Sequence, residues 1–265
     1  MSDQLTTTRT DPPLADPSNE PGAAETLAER SAARIERDIL AGALAPDTKL
    51  SIVDLVRRYG VSATPLREGL SRLVSRGLIV AIGQRGFRVA ALSRPDLEDI
   101  TATRLLVEHA ALGLAMAKGD DRWEAEIVAT LHRLRRFTER RNRASGEGQP
   151  EFDDVHKAFH ASLIAACGSQ RLIELQSQLY DQAYRYRRVM LARLPTDTRF
   201  FAEHERLAQR VLARDQAEAR ELLTGHLNST LEIVYPRAAA KPRGAAEPAR
   251  ATARALNTRA RKGQS

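Results

Sequence analysis

Residues 59–73 read YGVSATPLREGLSRL. Gly60 stops what precedes it, Ser62 is a natural N-cap, and Pro65 suits a first turn whose amides need no intrahelical partner. Val61, Leu66, Leu70 and Leu73 are the core-facing set, and Arg67 and Arg72 are set apart from it. A helix that only packs has little use for the small residues Ser62, Ala63 and Thr64 at its tip with an arginine one turn further in. The pattern predicts a helix whose N-terminal end is offered to something outside the core.

The flanks say what kind of helix this is. Upstream, Leu27, Ala32, Ile35, Ile39 and Leu40 form a helical stripe ending near Gly42, and Ser51 to Tyr59 reads as a short helix after the Ala45-Pro46-Asp47 turn. Downstream, Gly77 closes the quoted helix. Two apolar runs, Leu78 to Ile82 and Phe87 to Leu92, flank Gly83-Gln84-Arg85-Gly86 and predict a β-hairpin. Helix, helix-turn-helix and hairpin together make a winged helix-turn-helix over residues 25–92.

In that fold the second helix of the pair enters the DNA major groove with its N-terminal residues nearest the bases. Ser62 and Thr64 carry small hydroxyls that approach phosphates closely at a helix N-terminus. Arg67 is placed for a bidentate guanine contact, worth about 1–3 kcal/mol of discrimination. Arg72 and Arg76, farther along, suit backbone contacts or a solvated face, and Arg57 and Arg58 precede the turn, beside flanking phosphates. Gln84, Arg85 and Gly86 form the wing tip, from which Arg85 reaches the adjacent minor groove.

Charge is distributed in the same sense. Residues 26–95 carry twelve bases against six acids and residues 236–265 eight against one, whereas residues 96–235 carry twenty against twenty-two. Positive charge on a small module and a tail, beside a balanced middle, points to a polyanionic partner for the ends and a different task between them. Residues 1–24, rich in Pro, Thr, Asp and Ser, read as a disordered leader, and residues 236–265 as a basic disordered tail. With one cysteine, Cys167, there is no disulfide framework and no CxxC metal pair. No run of 18 apolar residues and no signal-peptide order occur, so a cytoplasmic protein without a membrane partner is expected.

From Ser93-Arg94-Pro95-Asp96, a capping box, to residue 235 only Pro150 and Pro195 interrupt helical stripes. Helices are predicted at about 96–118, 122–142, 151–167, 170–193, 197–214 and 216–234, so the fold class is mostly α: a winged helix-turn-helix followed by a bundle of about six helices over 93–235. Within it, His156 and His160 are four residues apart and share a helix face. His204 and His226 lie 11 residues before and after Asp215, the expected turn of the last helix pair, which sets them level in an antiparallel hairpin. Four imidazoles converging inside a bundle suit Zn²⁺ or Ni²⁺. Four separate, individually hydrogen-bonded histidines are the competing reading.

The stretch LSIVDLVRRYGVSATPLREGLSRLVSRGLI followed by RGFRVAAL resembles the winged-helix domain of the GntR family of bacterial transcriptional regulators, where the quoted segment usually runs close to VSRTPVREALRRL. Ala63 replaces an arginine usual there, which removes a DNA contact. Gly69 replaces the common Ala, at a cost of about 1 kcal/mol in a helix interior unless close packing requires glycine. FHASLIAACGSQRL, AEHERLAQRVLARDQAEA and the closing GHL are similar to the FCD effector domain of the FadR-like branch, over about residues 97–234. That resemblance implies a divalent metal held at the positions of His156, His160, His204 and His226, with His156 standing where many members have Asp. Losing that carboxylate leaves the ion's +2 charge undiminished and favours nitrogen-loving metals. Asp153, on the same face as His160 but two turns away, is too far to substitute. The resemblance also marks Arg104 as partner of an effector carboxylate, against a surface Arg104–Glu108 pair as the plainer reading. Tyr180, Tyr184 and Tyr186 line a cavity or pack between helices, and His109 and His132 have no identified partner.

These readings converge on a ligand-responsive DNA-binding regulator and not an enzyme: a repressor, homodimeric on a pseudo-palindromic operator, with a divalent metal and a small carboxylate effector. A metal-dependent enzyme using the histidines and a constitutive DNA-organising protein are the two other classes.

Overall fold

The computed structural model describes residues 25–83, 86–143, 150–191 and 198–236. The expected leader, nearly all of the tail, and the wing-tip residues Gln84 and Arg85 lie outside them.

The first unit is built as the stripes require. α1 (Leu27–Leu40) starts on a complete capping box between Thr26 and Glu29, and α2 (Ile52–Tyr59) on Ser51, whose side chain accepts from the Asp54 amide. Gly60, with φ of 66°, ends α2 in the left-handed conformation that favours glycine. α3 (Ala63–Ser75) then packs across α1, burying Leu66, Leu70 and Leu73 with Ile35. Gly69 is explained here: a Cβ would stand 3.0 Å from both the Ala28 carbonyl oxygen and the Ala32 nitrogen, so glycine lets the two helices approach. The hairpin of β2 (Ile79–Ala81) and β3 (Phe87–Val89) is present, and a strand missing from the sequence reading, β1 (Lys49–Leu50), adds to it. The antiparallel sheet has the order β1-β3-β2, with Leu50 opposite Phe87 and Ile79 opposite Val89.

The bundle follows: α4 (Arg94–Lys118), α5 (Asp121–Arg143), α6 (Pro150–Ile164) with a 3-10 turn at Ala165–Cys167, α7 (Gln170–Leu191), α8 (Thr198–Leu212) and α9 (Gln216–Val234). Its core joins Leu112, Trp123, Ile127, Phe159, Leu163, Leu207, Val211 and Leu223. α4 is long and apolar enough to cross a membrane by length and composition, yet it packs on α7 and α9 through Leu97, Ile100 and Leu112 and carries a buried ion pair at its centre.

α7 has two working faces, and the winged helix rests on one of them. Asp181 accepts from Arg76, Gln182 donates to the Arg76 carbonyl, Arg185 to the Ala90 carbonyl and Arg188 to the Leu40 carbonyl. The Gln182 and Arg188 contacts take up backbone oxygens at the ends of α3 and α1, groups that a helix C-terminus leaves unsatisfied. Arg76, expected on DNA or in solvent, is instead clamped between Glu36 of α1 and Asp181 of α7, because its own unit and the bundle each offer it a carboxylate, at 2.5 and 2.8 Å.

A histidine chamber and an exposed helix tip

The opposite face of α7 carries Gln176, Tyr180, Tyr184 and Arg187, at the spacing that stacks side chains along one side of a helix. Facing them, α6 presents His156 and His160, α8 presents His204 and α9 presents His226. One ring nitrogen from each of the four lies within 4.8 Å of the others. Nε2 of His156 is 2.8 Å from Nε2 of His204 and 3.1 Å from Nε2 of His160, and the His204 and His226 rings are 4.5 Å apart. The equal distances of His204 and His226 from the Arg214-Asp215 turn do set them level.

Among the described residues, the Nε2 atoms of His156, His160 and His204 have one another as hydrogen-bonding neighbours. His204 donates its Nδ1 proton to the Phe200 carbonyl at 2.7 Å, which leaves its Nε2 lone pair facing the cluster. Burial and neighbouring positive charge hold the imidazoles neutral: His156, His160 and His226 are pushed well below the ordinary histidine value and His204 to about 4. Neutral rings with converging lone pairs are a fit set of ligands for a divalent ion. Asp153 stays outside, bonded to Tyr184 Oη, and burial raises it to about 6.

Arg104 is buried, 3% exposed, and its Nε donates to Glu108 at 2.8 Å. The i, i+4 pair therefore forms, but inside the chamber wall and not on the surface, because this face of α4 is turned to α7 and α9. Arg187, which the sequence reading did not single out, is also buried; its Nη1 lies 2.9 Å from His156 Nδ1 and its guanidinium stacks 4.4 Å from the Tyr180 ring centre. Buried atoms without a partner among the described residues are Arg104 Nη2, Arg187 Nη2, Gln176 Nε2 and His160 Nδ1. Tyr186 belongs elsewhere: it seals the joint between α4 and α7, its hydroxyl bonding Ser93 and Asp96. His109 bonds Arg220 and Thr224 outside the chamber, and His132 is exposed.

On the first unit, Ser62, Thr64 and Arg67 are all exposed at the start of α3. Ser62 has the extended backbone of an N-cap, yet its hydroxyl makes no capping bond, and Arg67 has no ion pair among the described residues. Arg57 is exposed with a loose 3.3 Å contact to Asp54, and Arg72 contacts Glu29 at 3.2 Å. Arg58 is more firmly held: its Nε and Nη2 both reach Oδ2 of Asp38, which also accepts from Tyr59. Gly86 opens β3 with φ of 94°.

Comparison with known proteins agrees with this division. Residues 27–89 match "Bacterial regulatory proteins, gntR family" and residues 99–229 match the FCD domain. The chain is 37% identical over 204 residues to the HTH-type transcriptional repressor GlaR of Escherichia coli, covering 76% of this chain and 92% of that protein. It is likewise 37% identical over 209 residues to the HTH-type transcriptional regulator BphR of Paraburkholderia xenovorans, covering 79% and 85%. Among solved structures, E. coli McbR/YncC superposes with a TM-score of 0.65 at 23% identity, covering 79% of this chain and 97% of that one, a likeness of fold.

Proposed function

The chain belongs to the gntR family of bacterial regulatory proteins and carries an FCD domain, so it is a DNA-binding transcriptional regulator and not an enzyme; on that premise we propose a homodimeric repressor that leaves its operator when a small carboxylate enters a metal-containing chamber in the helical domain. The observation carrying this is α7 itself, whose inner face contacts His156 and His160 of the histidine cluster while its outer face grips the winged helix. A ligand that moves α7 changes the seat of the DNA-reading unit.

At the DNA end, Ser62, whose hydroxyl makes no capping bond, Thr64 and the exposed Arg67 supply phosphate contacts and base readout, with Arg57 and Arg72 on the flanks and the wing tip at Gln84, Arg85 and Gly86. Arg58 contributes mainly by fixing α2 against α1. DNA as partner puts the protein in the cytoplasm. Repression accords with the description of GlaR as a repressor.

His156, His160, His204 and His226 would hold the ion, Zn²⁺ or Ni²⁺ by donor type. A metal there supplies a dication that attracts an anionic effector, and Arg104, with Nη2 unpaired, is its protein partner. Dimerisation has a candidate surface: Ala102, Leu106, Ala110, Leu114 and Ala117 run along α4 exposed, Leu106 by 76%. A second copy covering that strip gives the two-fold symmetry that a pseudo-palindromic operator demands.

Metal analysis of the purified protein, with gel-shift titration of an operator fragment against random DNA, tests the reading. One discrete site surviving the competitor, released on adding a carboxylate that raises Tm, is expected. Operator affinity indifferent to every carboxylate that binds would overturn it.

A further inference from the structure

The outer face of α7 carries a charge that its joint with the winged helix does not balance. Arg185 is 6% exposed, lies within ion-pair distance of no carboxylate among the described residues, and gives one hydrogen bond, from Nη2 to the Ala90 carbonyl. Burial lowers its pKa, and the opposing influence of Tyr186 and Asp96 does not restore it. Asp96 is engaged elsewhere, accepting from Tyr186 Oη. A guanidinium has five N–H donors, so a single carbonyl leaves most of that capacity for another acceptor. Arg188, nearly one turn on, is better supplied: it donates to the Leu40 carbonyl at 3.3 Å, bonds Tyr184 and is attracted to the Asp153 carboxylate.

Both arginines line a cavity of about 240 Å³. Its other walls are mostly apolar and come from the winged helix and its connector: Ile39 near the end of α1, Leu44 and Pro46 before β1, Val89 of β3, and Leu92. Gly42 completes the wall; a Cβ there would stand 2.9 Å from Arg188 Nε, so glycine lets that arginine lie across the turn. The space equals roughly eight waters at about 30 Å³ each, enough for a molecule the size of benzoate. Water alone fits it poorly, because apolar side chains offer no hydrogen bonds. A concave apolar space at a joint between two folded parts, with one buried cation holding unused donors, has the composition of a small-molecule site.

We propose that this cavity is a second ligand site, separate from the histidine chamber, for a small amphipathic carboxylate of about benzoate size, its charge on Arg185 and its apolar body against Ile39, Leu44, Val89 and Leu92. The carboxylate takes the N–H groups that the Ala90 carbonyl leaves over. Part of the wall belongs to the winged helix and part to α7, so the ligand binds the docked arrangement and favours it over any other.

The test is calorimetric titration of the full-length protein, as purified, with three probes. Benzoate carries both features, benzyl alcohol keeps the body without the charge, and acetate keeps the charge without the body. Benzoate should bind one per chain and at least tenfold tighter than either of the others. Hydrogen exchange should locate it, with protection gained over residues 39–46 and 87–92 and none around His160 and His204. Arg185→Gln should weaken benzoate tenfold or more, and Arg185→Lys should keep part of the affinity. Pro46→Phe, which fills the cavity from an exposed turn position, should abolish binding with Arg185 intact. Arg187→Gln, inside the chamber, should leave benzoate affinity as it was. Benzoate that binds no better than benzyl alcohol or acetate overturns the proposal. So does protection confined to the chamber helices, or affinity lost with Arg187→Gln and kept with Arg185→Gln. If Arg185→Gln does not fold, Pro46→Phe and the exchange pattern decide. None of these readouts depends on a metal in the chamber, so their failure leaves the reading of the histidines where it stands.

Discussion

Arg76, which caps the C-terminal end of α3, donates to the buried carboxylate of Asp181 on α7 at 2.8 Å. The other oxygen of Asp181 accepts from Lys157 at 2.6 Å, and Lys157 lies on α6 between His156 and His160. One carboxylate thus ties the histidine-bearing helix to the DNA-reading helix. Asp181→Ala takes this carboxylate from Lys157 and leaves Arg76 with Glu36; because both cations are partly exposed, the loss is at or below about 3 kcal/mol. Thermal unfolding should report that loss. Gel shifts should report a second effect: effector still binds, but operator release no longer follows it. Full effector response in a folded Asp181→Ala protein would remove Asp181 from the coupling.

Arg67 and Arg58 separate DNA reading from folding. Arg67 is exposed and has no ion pair among the described residues, so Arg67→Ala should weaken operator binding by about 1–3 kcal/mol and leave Tm unchanged. Arg58 holds Asp38, which in turn holds Tyr59, so Arg58→Ala should lower Tm. If the two variants exchange these phenotypes, the helix tip has been misassigned.

His156 tests the charge of the chamber. His156→Asp returns a carboxylate to the ligand set, so the site keeps a divalent ion while its net charge drops by one. Metal content should persist and carboxylate affinity should fall by about tenfold, the scale of one lost charge interaction at about 1.4 kcal/mol. His160→Ala should lose the metal together with the stabilisation that metal gives. Inductively coupled plasma analysis and carboxylate titration read both variants.

Much of this was legible in residue order. The YGVSATPLREGLSRL segment has its own start, stop and period, so helix-turn-helix and wing followed without tertiary information, and His204 and His226 announced their meeting by equal distance from a turn. β1 was not legible: two residues have no period, and only pairing with β3 makes Lys49–Leu50 a strand. Arg187 sits in RYRRV, where no local signal tells the arginine that faces the chamber from its neighbours. Its i, i+3 and i, i+7 spacing from Tyr184 and Tyr180 was the one available clue, and it becomes decisive only once α6 is placed opposite. Asp181 and Arg76 are 105 residues apart, a pairing fixed only by the docking of the two units.

Leu106 reports on assembly. It stands 76% exposed in the middle of the apolar strip of α4, where a second copy is expected. Leu106→Glu places a charge in that seam and should yield a monomer by light scattering, with chamber ligands unaffected. Operator affinity should fall steeply, because a monomer reads one half-site. A dimer that persists in Leu106→Glu places the interface elsewhere.

Acid should unfold the metal-free protein early, and the sign follows from the shifted groups. An unfolded histidine takes up its proton near pH 6.5, but His204 in the fold resists until about pH 4, and His156, His160 and His226 are also well lowered. Between those values the unfolded chain binds more protons than the folded one, so stability present above about pH 6.5 is lost as pH falls. Asp153, raised to about 6, and Glu36, also raised, act in the opposite sense, since the fold binds their protons first. Four histidines outnumber two carboxylates, so the net slope is toward instability in acid. Denaturant titrations at pH 7 and pH 5 should show the loss, and replacing His204 by Gln should flatten it. A metal-free protein equally stable at both pH values would mean that the four rings are not buried together in the neutral state.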